Sequence, residues 1–324
     1  MPVRRPALKI ETLSYPTSVV VFYCLAQLTA AETGAGNEEN ALLLAVILGF
    51  CFGMPHGALD FELAKTLPIF QNRTRQGLFL LGYTLMALCF YWFWLLQPAV
   101  GVIIFLLLSA WHFGDDWRQN CHEPHGPRLT QGFLTQEVSV IKRFSIGLLF
   151  VVLPLLREDA VTLLQVFSGA ASQSWAPFAV LSKPFLSHPV SHTVFFLLTT
   201  FLFIIGGLAC FDWFKKRDYT QIAVFLVFIF SSIVLSPLYY FICYFCFFHS
   251  VKHFSEIQSN HLFLSGKQVA LKLFPVLLAT AGLYGLAVFR ADLAYSWQHS
   301  FEALILLIAS LTVPHMVFLE TIMK

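Results

Sequence analysis

Apolar residues fall in long blocks separated by short polar stretches. Ten such blocks can be marked, at residues 17–31, 41–57, 77–96, 99–114, 144–156, 192–213, 220–235, 237–254, 270–289 and 301–319. A helix needs about 20 mostly apolar residues to cross the hydrocarbon core. The first and fifth blocks are short of that, so the pattern predicts an all-α, polytopic integral membrane protein with about ten transmembrane helices (8–10). Proline cannot continue the backbone ladder, so Pro98 in WLLQPAVG and Pro237 in VLSPLYY predict tight breaks between adjacent helices. The blocks run on without a long polar module, and residues 1–324 read as a single membrane-embedded domain. Only 115–143 and 157–191 are loops long enough to hold interfacial helices, and VTLLQVFSGA in the second is a candidate.

Composition sharpens this picture. Charged residues make up 12% of the chain and apolar ones 57%, with a mean hydropathy of +0.72; a soluble domain carries about 25% charge. The net charge of +2 and short basic clusters leave no surface for nucleic acid. The charges report orientation instead, since loops on the cytoplasmic side collect Lys and Arg. With the N-terminus inside, 17 of the 20 basic residues fall on the inner side, leaving Arg157, Lys183 and Arg290 outside. Both termini are therefore expected to be cytoplasmic, in a multi-pass protein of the cell (inner) membrane. The start, MPVRRPALKIETLSYP, lacks a small-residue cleavage site after an apolar core, so the first block is expected to stay as a membrane helix. The seven cysteines are scattered through apolar blocks and do not form a secreted disulfide framework. Cys243 and Cys246 make a CxxC inside YYFICYFCFF, where they read as small core residues.

The histidines carry the chemistry. Of 11, five lie near the cytoplasmic ends of predicted helices: His56 in FGMPHGALD, His112 in LLSAWHFGDDW, His249 and His253 in CFFHSVKHF, and His315 in LTVPHMVFLE. Ionisable groups in membrane helices are costly and turn inward toward functional sites, so five at matched depth predict one site. The spacing of four between His249 and His253 puts both imidazoles on one helical face, which suits chelation of a single ion. His56, His112, His249 and His253 are the predicted metal ligands and catalytic centre; His315 is left as ligand, support for a ligand, or packing beside Pro314. His122, His125, His188, His192, His261 and His299 are expected to meet water. Metal-bound imidazoles usually donate their second nitrogen to a carboxylate, a carbonyl or water. Asp60, Asp115, Asp116 and Glu256 each follow a candidate histidine by three or four residues, which puts a carboxylate within reach of each; as solvated groups at helix ends they need no such role. No cysteine pair stands at zinc-finger spacing nearby, and four neutral imidazoles suit iron or copper.

The ordered set PHGALD, WHFGDD, HSVKH and the late PH resembles the Brp/Blh family of β-carotene 15,15'-dioxygenases over residues 50–318. In that family the proposed iron ligands are the histidines matching His56, His112, His249 and His253. The resemblance implies Fe(2+) and O2 cleaving the central 15,15' double bond of β-carotene into two molecules of all-trans-retinal, often for delivery to a microbial rhodopsin. The stretch between the WHFG and HSVKH motifs is longer here than in the family, which leaves the 157–191 loop without an assigned role. A bilayer-dissolved carotenoid calls for an apolar tunnel entered sideways between helices. Candidate lining residues are Phe52, Phe61, Trp111, Phe113, Trp117, Tyr244, Phe247, Phe248 and Phe254. Two alternatives stay open on the residues alone. A membrane di-iron desaturase or hydroxylase also gathers histidines at helix ends, although its HxxHH box is missing here. A His-lined metal transporter is the other, although such a path also needs polar groups at the midplane.

Overall fold

The computed structural model describes residues 10–30, 43–53, 55–117, 133–156, 189–257, 266–290 and 297–321, and every regular element among them is helical. In chain order these are α1 (Ile10–Ala30), α2 (Leu43–Gly53), α3 (Pro55–Ala58), α4 (Asp60–Thr66), α5 (Arg73–Leu96), α6 (Pro98–Asp115), α7 (Phe133–Val152), α8 (Pro189–Lys215), α9 (Tyr219–Val234), α10 (Pro237–Tyr244), α11 (Ser250–Ile257), α12 (Gly266–Arg290) and α13 (Trp297–Thr321). The expected all-α class is observed. Both termini, His122, His125, His188, His261 and most of the 157–191 loop lie outside the described residues.

Among the described residues, three helices are long and apolar enough to cross a membrane: α5, Phe196–Lys215 of α8 and Phe301–Glu320 of α13. At 1.5 Å per residue, α5 alone reaches about 36 Å. The other apolar helices are shorter: α2, Val100–Asp115 of α6, α9, and Leu271–Gly282 of α12. The outward faces carry large apolar side chains, among them Leu78, Leu81 and Leu85 on α5 and Phe196, Leu197 and Ile204 on α8. A contiguous apolar exterior of this kind is stable against lipid rather than water.

Local chemistry sets where the helices break. Asn72 caps α5 by accepting from the Thr74 amide at 2.9 Å, and Asp218 caps α9 by accepting from the Gln221 amide at 3.1 Å. Pro98 and Pro237 stand at the first positions of α6 and α10, where the missing N–H costs nothing. The predicted breaks are thus both present, with Gln97 ending α5 and Leu235 ending α9. Between α8 and α9 the chain turns through Arg217 at φ 58°, a left-handed residue just past a helix end.

Two of the apolar blocks are not simple helices. The end of α2, Gly49–Gly53, is a π turn, and a second one, Phe245–His249, joins α10 to α11. These two turns pack together, and a Cβ on Gly53 would lie 2.5 Å from Cε1 of Phe245, so only glycine fits. The block 237–254, read from the pattern as one helix, is therefore three segments. A π turn rotates the residues after it relative to those before it, and here it sits immediately before the HSVKH motif.

The core is largely aromatic. Trp117 stacks on Phe150 at 4.8 Å and on Phe248 at 5.5 Å, and Tyr15 of α1 stacks on Phe228 at 4.1 Å. Tyr15 also shares a 2.7 Å hydrogen bond with Ser231, tying α1 to α9. Next to this cluster α6 and α7 approach at small residues. A Cβ on Gly147 would lie 1.7 Å from the Ala110 carbonyl, and one on Gly114 would lie 2.3 Å from the Arg143 carbonyl. This close crossing holds the end of α6, where His112 sits. Cys243 and Cys246 are buried free thiols, and the Cys246 thiol reaches the Leu48 carbonyl at 3.5 Å, as expected of core residues.

Candidate metal centre

Four imidazoles converge from four elements. His112 comes from the end of α6, His249 from the π turn, His253 from α11 and His315 from the end of α13. Ring centroids lie 4.6 Å apart for His112 and His249, 6.0 Å for His112 and His253, 5.2 Å for His112 and His315, and 5.0 Å for His253 and His315. His249 and His253 stack at 6.2 Å with their planes 8° apart, so the i,i+4 spacing does place both on one face. His112, His249 and His315 are buried, and the Nε2 atoms of all four are shielded from solvent.

Of the four predicted ligands, three are therefore brought together. The fourth, His56, sits in α3, which packs against α11, α12 and α13; its side chain lies outside the described residues. Its neighbour Gly57 borders the centre, since a Cβ there would lie 3.8 Å from Nδ1 of His315. His315, left open by the sequence, is a full member of the cluster. The side chains of His192 and His299 are outside the described residues.

Two carboxylates fix the rings. Asp116 accepts from Nδ1–H of His249 at 2.8 Å, from the Tyr244 hydroxyl at 3.0 Å, and its main-chain carbonyl accepts from the Lys252 ammonium. Asp60 accepts from Nδ1–H of His315 at 2.7 Å and from the Tyr83 hydroxyl at 2.9 Å. An imidazole held as the Nδ1–H tautomer turns its Nε2 lone pair to the other side, which is how proteins present histidine to a metal. The neighbours in sequence are not the partners in space. Asp116, expected to reach His112 on its own helix, serves His249; Asp60, expected near His56, serves His315. Asp115 turns away to Arg143, which also binds Glu320 at 2.6 Å. Side chains near a helix end diverge, so contacts across helices win over spacing along one.

The donor set fits a divalent transition metal. Asp60, His253 and His315 offer ligand atoms within 4.8 Å of one another. Oδ1 of Asp60 is buried and accepts no hydrogen bond from any described residue, and a buried carboxylate oxygen in that position suits a facing cation. Imidazole nitrogen with one carboxylate suits iron, copper or zinc alike. Phe113 lies edge-on to His249 at 4.9 Å and Phe245 stacks on it at 5.9 Å, walling this side against water. Of the other candidate aromatics, Phe61 lines a pocket beside Asp60, whereas Trp111 binds Glu320, Phe52 packs on Phe247, and Trp117 and Phe248 belong to the core.

Outside the cluster, Glu62 on α4 binds the ammonium groups of Lys65 and Lys272, tying α4 to α12. Burial pushes its carboxyl upward, but the hydrogen bonds and charges of the two lysines outweigh it and hold it below the ordinary value.

No solved structure matches this chain. Among curated proteins, it is 28% identical to the beta-carotene 15,15'-dioxygenase of an uncultured marine bacterium, 66A03, over 289 residues, covering 88% of this chain and 93% of the relative. A family model described as beta-carotene 15,15'-dioxygenase matches residues 47–323, the stretch that carries all five converging or neighbouring histidine positions. With that span matched and the histidine cluster inside it, this chain belongs to the β-carotene 15,15'-dioxygenase family of carotenoid-cleaving dioxygenases.

Proposed function

We propose that the protein uses Fe(II) and O2 to cleave the central 15,15' double bond of β-carotene into two molecules of all-trans-retinal. One observation carries the reading: the convergence of His112, His249, His253 and His315 with two buried carboxylates behind them, in a chain of this family. The predicted set His56, His112, His249 and His253 remains the proposed ligand set, with α3 bringing the His56 backbone to the same place. When bound, Fe(II) supplies a cation with open positions for O2 and an electron-rich double bond. The residues do the rest: Asp116 and Asp60 orient the rings of His249 and His315, and Phe113 and Phe245 keep water from the centre. The overall reaction breaks one C=C bond and forms two C=O bonds, one oxygen atom going to each fragment. No reductant is consumed.

The exterior supports a multi-pass protein of the cell (inner) membrane, about ten spans in a single domain of residues 1–324 with both termini cytoplasmic, as the basic residues imply. Retinal released into the bilayer would be available to a microbial rhodopsin. The test is expression in a β-carotene-accumulating host, with chromatography of retinoids and an iron count per chain. Retinal as the major product with about one iron per chain is expected. A host that keeps its colour with iron-loaded protein present, or hydroxylated carotenoids as products, rejects the reading.

A further inference from the structure

A second feature adjoins the centre. Between α5, α12 and α13 lies a pocket of about 230 Å³, whose inner end is bounded by Gly57, Asp60 and His315. Its wall is made by Phe79, Leu80, Val276, Leu277, Ile308 and Leu311. At its outer end Leu80 is 43% and Val276 39% exposed, on helices whose outer faces are apolar, so the mouth opens where lipid lies and not toward water.

The polar groups in the wall are already engaged. Thr280 donates to the Val276 carbonyl at 2.6 Å and Thr312 to the Ile308 carbonyl at 2.8 Å, so both hydroxyl hydrogens are used within their own helices. The Tyr83 hydroxyl is committed to Asp60. The hydroxyl hydrogens along the wall are thus spent and most of its side chains are apolar, so between mouth and inner end it favours an apolar occupant over one that must shed its hydration. The absence of a side chain at Gly57 keeps the junction with the centre clear, since a Cβ there would stand 3.7 Å from the Tyr83 hydroxyl and 3.8 Å from Nδ1 of His315. Pockets for whole drug-sized ligands measure roughly 300–1,000 Å³, so this one is the size for only part of a longer molecule.

We infer that this pocket seats one arm of the carotenoid, admitted sideways from the bilayer between α5 and α12, with the polyene passing Gly57 to bring its midpoint to the histidines. The inference rests on the carotenoid reading above. An acyl chain of a lipid is the competing occupant.

The test is binding of β-carotene to purified, iron-loaded protein without O2, followed by absorbance, together with turnover in its presence. Leu80→Trp and Val276→Trp fill the mouth; Leu78→Trp and Leu278→Trp place the same bulk on outward positions, both 62% exposed. Overfilling a packed apolar site is expected to weaken β-carotene binding about tenfold or more for the mouth variants, with the controls within about twofold. Iron content and melting temperature should match the wild type in all four. An apocarotenal shortened at one end but retaining the 15,15' bond should regain turnover in the mouth variants, which a folding defect would not allow. Wild-type binding by both mouth variants, equal losses with the shortened substrate, or co-purified phospholipid with no carotenoid bound overturns the inference. Wild-type protein that binds β-carotene in a mouth-dependent way but does not cleave it upholds the pocket and rejects the dioxygenase reading.

Discussion

The two carboxylate–histidine pairs have the same chemistry and opposite surroundings. Asp116 and His249 are set in the aromatic core: Tyr244 and Lys252 hold the carboxylate side, and Phe113 and Phe245 cover the imidazole. Asp60 accepts from the Tyr83 hydroxyl, and with His315 it faces the pocket between α5, α12 and α13. The first pair is a closed wall and the second is a border. A site that must hold a metal firmly and still admit a bulky apolar substrate needs both, because dense packing fixes geometry while excluding ligand.

The comparison can be broken at the ligands first. His249→Ala removes an imidazole from the closed side and should abolish bound iron and lower retinal formation by more than about 100-fold. Plasma emission for iron and chromatography for retinoids measure this, and an active, iron-replete His249→Ala protein removes His249 from the site.

The carboxylates separate the two sides. Asp116→Asn and Asp60→Asn should each lower metal affinity or activity by about 10–100-fold. The Asp116 carboxylate also lies 4.0 Å from the buried Lys252 ammonium, so neutralising it weakens a buried charge pair while the main-chain hydrogen bond stays, and should cost about 1–3 kcal/mol of stability. Among the described residues no lysine is paired with Asp60, and its variant should melt closer to the wild type. Equal melting shifts for the two would mean that the closed and open sides are not mechanically distinct.

A smaller effect is expected of the tyrosines. Tyr244→Phe and Tyr83→Phe each delete one hydrogen bond to a carboxylate, worth about 1.5–3 kcal/mol. Tyr244→Phe should appear mainly in thermal stability; Tyr83→Phe should appear in KM for the carotenoid, since that hydroxyl borders the pocket.

The smallest effect lies outside the centre. Glu62 has a folded-state pKa below its ordinary value of 4.5. Its contribution is thus present above that ordinary value and lost as pH falls through the depressed one. Because Lys272 is partly exposed, the amount is about 1 kcal/mol or less. Melting curves from pH 6 to pH 3 should show an acid-side loss that Glu62→Gln lacks.

Much of this was legible in the chain. The all-helical class, the prolines at 98 and 237, and the i,i+4 pair His249 and His253 depend on local periodicity and backbone chemistry; the described residues are helical, and the prolines and the pair are found where the pattern put them. The family is carried by motifs in order, which also needs no coordinates. What the tertiary structure alone decided is which groups meet. The pairing of Asp116 with His249 and of Asp60 with His315 joins residues 133 and 255 positions apart, and spacing along one helix pointed each carboxylate at the wrong histidine. The π turns at Gly49–Gly53 and Phe245–His249 have no periodic signature, since a single extra residue in a helix leaves its apolar block unbroken. His315 could not be told from a packing residue beside Pro314 until α13 was laid against α5 and α6. Local sequence determines the elements because backbone hydrogen bonding is local; the site is made of groups on different elements, and only the packing of those elements brings their side chains within reach of one ion.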